Sequence, residues 1–335
     1  MTTPPPISRR HAFAALAVPA LLTGRAGAQA ALRDLTYVTP FGNLVAYAPD
    51  YVASTNGHFA RNGLRVRIQG GTGSAAAVQQ VVSGQALIAR TGGIDVVRAV
   101  STAGAPVRAI GTIAHSSTFH VVSAAAAPLR SAADMAGKTI GIVSAGGGSE
   151  NYLDIMLAAA GVAKDRVQRQ VVGNSPGAFE MVQLRRLDGF ICDAGVVVQL
   201  RARNAPIHAI NVNAAASIPG QVYIASERSI AEAPEVLLGY LRAIQAAVQE
   251  IKADASGEAT LRAMQPFELQ ELRAPETAKA VLRAEEELWQ SEGAANIVRI
   301  LPDAWRKGWR EMVGAGLARE GDPDRAFTTA FSDRL

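Results

Sequence analysis

The sequence predicts an α/β fold of two lobes, each a mostly parallel sheet flanked by helices, with a hinge and a ligand cleft between them. Three observations carry this expectation. Strand-like and helix-like segments alternate up to about residue 220, one order of segments occurs twice at a constant offset of 103 residues, and the chain from about Gln221 onward is mainly helical. Alternating strands and crossover helices build parallel sheets covered by helices.

Residues 1–30 read as an export signal. Ser8-Arg9-Arg10-His11 supplies paired arginines, Ala12 to Leu22 an apolar run, and Ala28-Gln29-Ala30 a small-x-small cleavage site, so cleavage is expected before Ala31. The run is shorter than the roughly 20 apolar residues of a bilayer span. The paired arginines resemble the twin-arginine export signal, which carries folded proteins, although Ala12 stands where that signal usually has Phe. No cysteine sits at the cleavage point, so a lipid-anchored form is excluded and the product is expected free in the periplasm. Three arginines and no acid lie in this segment, so the net charge of +4 falls to +1 without it. The remainder shows no basic stripe interleaved with aromatics, which argues against nucleic acid as a partner. The single cysteine, Cys192, permits neither an internal disulfide nor a cysteine-based metal cluster.

The first copy of the repeat begins with a strand at 35–39 and a helix at about 44–54. A strand at 64–69, the loop Gly70-Gly71-Thr72-Gly73-Ser74, a helix at about 75–82 and a strand at 86–89 complete it. The second copy has a strand at 139–143, a glycine-rich loop at 144–149 and a helix at 150–160. A strand at 167–172, the loop Gly173 to Gly177, a helix at about 178–187 and a strand at 189–192 follow. Gly70 and Gly173, Ile68 and Val171, and Ile88 and Ile191 all match at the same offset. Beyond Gln221, the spacing of Leu237, Leu241, Ile244, Val248 and Ile251 predicts one buried helix face, and Pro275 starts another helix. Boundaries near residues 124–128 and 218–220 give a first lobe of 31–122 completed by 221–335, with the second lobe, 123–220, inserted between.

Gly57-His58-Phe59-Ala60, Gly63-Leu64, the loop Gly70 to Ser74 and Asp134-Met135-Ala136-Gly137-Lys138-Thr139-Ile140-Gly141 carry a resemblance. Together they resemble the nitrate/sulfonate/thiamine-precursor (NMT1/THI5-like) family of ABC transporter substrate-binding proteins. Ser83-Gly84-Gln85-Ala86-Leu87 departs from that family's pattern, with Leu87 where an acid is common. The resemblance covers about residues 35–250. It implies a type II periplasmic-binding-protein fold, no enzymatic activity and no cofactor. It also implies a small-molecule ligand, and an inner-membrane ABC permease with its ATPase as partners. A monomer is expected.

In such sheets ligands sit beyond the carboxyl ends of the strands. Those ends place Phe41, Asn43, Gly71, Thr72, Ser74, Thr91, Gly92, Asp95 and Ser116 in the first lobe as candidate ligand contacts. In the second lobe they place Ser144, Gly147, Ser149, Asn174 and Asp193. Several of these loops run into helices, whose first N–H groups lack backbone partners and suit anionic or polar ligand atoms. The serines and aspartates equally suit capping of their own helices. Phe41 suits either stacking on a flat ligand or filling the core. No Lys or Arg lies in these loops, which argues against a bare inorganic anion. The ligand stays open among sulfonates, pyrimidines, flavin-like rings, aromatic acids and amines. Two other functions compete: a subunit presenting ligand to a sensor or other non-ABC system, and an enzyme like the pyrimidine-precursor synthases that share the fold. The synthases carry a cysteine-rich segment that this chain lacks.

Overall fold

The computed structural model describes residues 1–3, 31–214 and 218–335; the signal expected at 1–30 falls, beyond its third residue, outside them. Met1–Ala31 form a separate unit from Leu32–Leu335. Among the described residues, ten strands form two sheets of five, all of them within the larger unit.

The first sheet contains β1 (Arg33–Thr39), β2 (Leu64–Gly70), β3 (Ile88–Thr91) and β4 (Val107–Ala114). The second contains β5 (Phe119–Ala124), β6 (Thr139–Ile142), β7 (Gln168–Val171), β8 (Gly189–Asp193) and β9 (Ile207–Asn211). The chain then returns, and β10 (Gln221–Ser226) enters the first sheet. The orders are β2-β1-β3-β10-β4 and β7-β6-β8-β5-β9. The repeat read from the sequence is therefore a repeat of position: β2, β1 and β3 stand in the first sheet where β7, β6 and β8 stand in the second. In each sheet the strand after these three runs antiparallel to its neighbours, and it is β10 in one and β5 in the other. The chain passes between sheets at residues 115–118 and again between β9 and β10. The alanine-rich stretch at 124–128 follows β5 and so lies within the second lobe.

Strands covered by helices on both sides are buried on both faces, and β3, β8 and the antiparallel β10 are buried at every residue. β3 ends two residues later than expected, so Thr91 closes the strand and Gly93–Ala103 is already helix. The helix Pro234–Ala253 buries Leu237, Leu241, Ile244, Val248 and Ile251 against the first sheet together with Tyr37 and Tyr223. Trp305 and Trp309, on the helix Pro302–Gly314, are buried in a cluster that also holds Val38 and Ala89 of the first sheet and Val121, Ile140 and Ile191 of the second. One apolar core thus runs from lobe to lobe.

Candidate ligand cleft

The carboxyl ends of β1 and β3 face those of β6 and β8, and the lobes meet there along two seams. The first is tight. Asp95, in the first turn of Gly93–Ala103, accepts hydrogen bonds from the Thr91 hydroxyl (3.1 Å) and the Gly92 N–H (3.3 Å) of its own lobe. From the other lobe, the Asn151 amide donates to it at 2.7 Å. Asn151 lies in the helix Gly148–Ala159 and also accepts from Arg98. Ser74 is a further hydrogen-bonding neighbour of Asp95. Burial pushes the Asp95 carboxyl up to about 6, and these donors hold it from rising further.

Glycines make this approach possible. A Cβ on Gly147 would stand 2.6 Å from the Ser144 hydroxyl, and one on Gly148 3.1 Å from both Asp95 and Phe119. Phe41, half-buried, meets Phe119 across the lobes with ring centroids 6.2 Å apart. Its backbone also bridges to that of Thr72, whose side chain is exposed.

The second seam is open. A cavity of ≈ 590 Å³ is walled by Asn43 and Leu44 of the first lobe and by Asn174, Ser175 and Pro176 of the second. Gln199 and Arg203, from the helix Ala194–Ala202 and its end, and Glu271, Arg273 and Thr277, from the C-terminal segment, complete the wall. Asn43 is held by Tyr51, whose hydroxyl donates to it at 3.3 Å. Asn174 donates to the Asp193 carboxylate and accepts from the Asp193 N–H at 3.1 Å. Glu271 accepts from the Val45 N–H (2.6 Å) in the first lobe and from Gln199 (3.1 Å) in the second, so one carboxyl ties both lobes. Burial pushes Glu271 up to about 7 and raises Asp193 as well.

The expected site residues thus divide. Ser74, Thr91, Gly92, Asp95, Ser144 and Gly147 converge on the tight seam. Asn43 and Asn174 line the cavity, and Asp193 stands behind Asn174. Asp193 also caps its own helix, accepting from the Val196 N–H at 3.0 Å. The Ser149 hydroxyl accepts from the Val143 N–H at 2.9 Å and so ties the loop that follows β6. Gly71 leaves no room for a side chain, because a Cβ there would stand 2.1 Å from the Thr39 carbonyl. Ser116 lines a different hollow with His115, Asn213 and Lys307.

Reading strand ends missed Glu271, Gln199, Arg203 and Arg273. The loops at the strand ends carry no Lys or Arg, but Arg203 and Arg273 reach the cavity from helical segments, so the argument drawn from the loops against a bare anion does not extend to the cavity. Glu285 is not on the cavity wall; it is buried on the helix Pro275–Trp289 beside Ala278, Val281, Leu282 and Trp289.

The NMT1/THI5 like family model matches residues 45–257. The riboflavin-binding protein RibY of Chloroflexus aurantiacus is 26% identical over 314 residues, which are 91% of this chain and 87% of that protein. A solved structure from Bordetella bronchiseptica RB50 superposes with a TM-score of 0.73 at 21% identity, covering 90% of this chain and 96% of that one. The alkanesulfonate-binding protein SsuA of Xanthomonas axonopodis pv. citri, solved with bound MOPS, gives 0.66 at 14% identity, covering 86% and 94%. At these identities the structural likeness is one of fold, and it is the two-lobed periplasmic-binding fold that the sequence predicts.

Proposed function

The chain belongs to the NMT1/THI5-like family, and from that premise we propose that it is an exported binding protein that captures a small molecule and delivers it to an ABC importer. One observation carries the reading: the ≈ 590 Å³ cavity has walls from both lobes. A ligand in it touches both halves, so its binding free energy favours the closed arrangement over an open one. The permease and its ATPase then recognise the closed form. The volume lies within the usual range for small-molecule sites.

The ligand class we favour is a polar heterocycle. The relative named for riboflavin supports this, and so does the mixture of amides, arginines and carboxyls around the cavity. The protein acts by binding alone, as a periplasmic monomer released by cleavage before Ala31. Export is checked by N-terminal sequencing of the periplasmic protein, which should begin at Ala31.

The test is a thermal-shift screen of residues 31–335 against riboflavin, pyrimidines, MOPS, nitrate, aromatic acids and amines. A true ligand at about 100 times its Kd adds about 2.7 kcal/mol and raises the unfolding midpoint by several degrees. Bound ligand should be recovered unchanged. Failure of every class to shift the midpoint, or catalytic conversion of any of them, sinks the proposal.

A further inference from the structure

One acid on the cavity wall stands between the lobes. Glu271 sits in the turn Gln270–Arg273 and lines the cavity. The chain just before it is fastened to the first lobe, where the Asn43 amide donates to the Phe267 carbonyl at 3.3 Å and the Tyr51 and Phe267 rings lie with centroids 4.4 Å apart. From that anchor the Glu271 carboxyl accepts the Val45 N–H on one oxygen and the Gln199 amide of the second lobe on the other. A second carboxyl approaches it from the second lobe. A Cβ on Gly195 would fall 3.3 Å from the Asp193 carboxyl and 4.0 Å from that of Glu271. Two acids carried by different lobes are therefore neighbours only while the lobes are together.

We infer that Glu271 is a proton-operated latch: the cleft takes up a proton at this carboxyl as the lobes close and gives it up as they open. The inference rests on the proposed reading of the cleft as one that closes on its ligand, and it names what regulates that closure. Two ionised carboxylates this close repel each other, and a proton on one of them removes the repulsion. The neutral acid keeps both ties. One oxygen still accepts from Val45, while the hydroxyl donates to the Gln199 amide oxygen once that amide turns over. Opening parts Glu271 from Asp193 and returns it to water, where the charged form is favoured.

Asp193 and Arg203 face Glu271 from the second lobe, Tyr51 from the helix Ala48–Thr55 and Glu285 from the helix Pro275–Trp289, and Glu268 and Arg273 flank it on its own segment. The arginines stay charged and Tyr51 stays neutral throughout the range concerned. Burial pushes Glu271 up to about 7 with the lobes together, the Val45 N–H pulling it down and Asp193 pushing it up. An open cleft lets it fall toward the ordinary glutamate value of about 4.3. The carboxyl thus holds its proton more firmly closed than open, so its support for closure is complete below about pH 4 and is lost as pH rises through 7. With one proton taken up, a ligand of the closed cleft binds up to about tenfold more weakly for each pH unit above that point.

The experiment is small-angle scattering from ligand-free residues 31–335, native, Glu271→Gln and Gln199→Ala, at pH 6.5 and pH 8.5. The lower limit stays above the range of Asp95 at the tight seam, which burial holds near 6. The native radius of gyration should be larger at pH 8.5 than at pH 6.5. Glu271→Gln, a permanent copy of the neutral acid, should keep the smaller radius at both. Gln199→Ala should show the larger radius already at pH 6.5, because the carboxyl then has nothing on the second lobe to hold. Circular dichroism and the thermal midpoint are read alongside to show that each variant is folded. A merely structural Glu271 would lower the midpoint of Glu271→Gln and leave the pH response in place. A native radius indifferent to pH, or a response undiminished in Glu271→Gln, overturns the inference. Because the radius is read without ligand, a true ligand from the thermal-shift screen together with an indifferent radius would sink the latch alone, whereas a screen without ligands beside a pH-dependent radius would sink only the binding reading.

Discussion

At the scale of single residues, the cleft is governed by buried carboxyls and by glycines that have no room to grow. Asp95 accepts from its own strand end and from the opposite lobe at once. Asp95→Asn replaces one acceptor oxygen by a donor, and should cost about 1–3 kcal/mol in urea unfolding. Gly71→Ala forces a methyl against the Thr39 carbonyl and should cost about 2–4 kcal/mol by the same measurement. Burial holds Asp50 and Asp95 up near 6, Glu271 near 7 and Glu285 near 8. In this range the folded chain keeps protons that the unfolded chain releases, so their stabilising effect is complete below about pH 4 and is lost as pH rises through 6 to 8. Asp254 and Asp324, held low by hydrogen bonds, act in the opposite sense and lose their contribution only in stronger acid. The unfolding midpoint should therefore be higher at pH 5 than at pH 8.5, and a midpoint that rises across that interval contradicts the assignment of these buried acids.

At the scale of elements, the helix Gly148–Ala159 is the second lobe's grip on the first. Asn151 is its contact, bonded to both Asp95 and Arg98. Asn151→Ala should remove about 1–2 kcal/mol from the closed arrangement. Small-angle scattering should then show a larger radius of gyration without ligand, and ligand affinity should fall about 5- to 30-fold. The strands and helices of this half were legible because glycine loops punctuate apolar runs at a fixed offset, and position in the sheet follows that order. The contact partners were less legible. A strand end points to the cleft wherever the chain sits in the sheet, so Asp95, Asn174 and Asp193 could be named from sequence. Arg203, Glu271 and Arg273 reach the cavity only through the packing of helices from separate parts of the chain, which no local pattern encodes. Arg90 and Glu285 are buried charges away from the cavity wall, and a charged residue ordinarily reads as solvent-facing; only an apolar stripe on both sides marks Glu285 as an exception. Trp305 and Trp309, four apart on one helix face, are both buried, and Trp305→Ala should cost about 3–5 kcal/mol in urea unfolding.

At the scale of the whole molecule, the two lobes share an apolar core and a bridging helix, so they are expected to unfold together. Urea denaturation followed by tryptophan fluorescence and by far-ultraviolet circular dichroism should give coincident transitions; two separated steps would show that the lobes are energetically independent. The return of β10 to the first sheet also bears on the order in which the protein can be made. Until the ribosome has released Ser226, β3 and β4 lack the strand that joins them, and each carries a row of open N–H and C=O groups. Exposed edges of that kind recruit neighbouring chains. A nascent chain must therefore keep its first half from aggregating while its second is still being translated, and a stop codon before Gln221 yields a sticky fragment instead of a smaller soluble lobe.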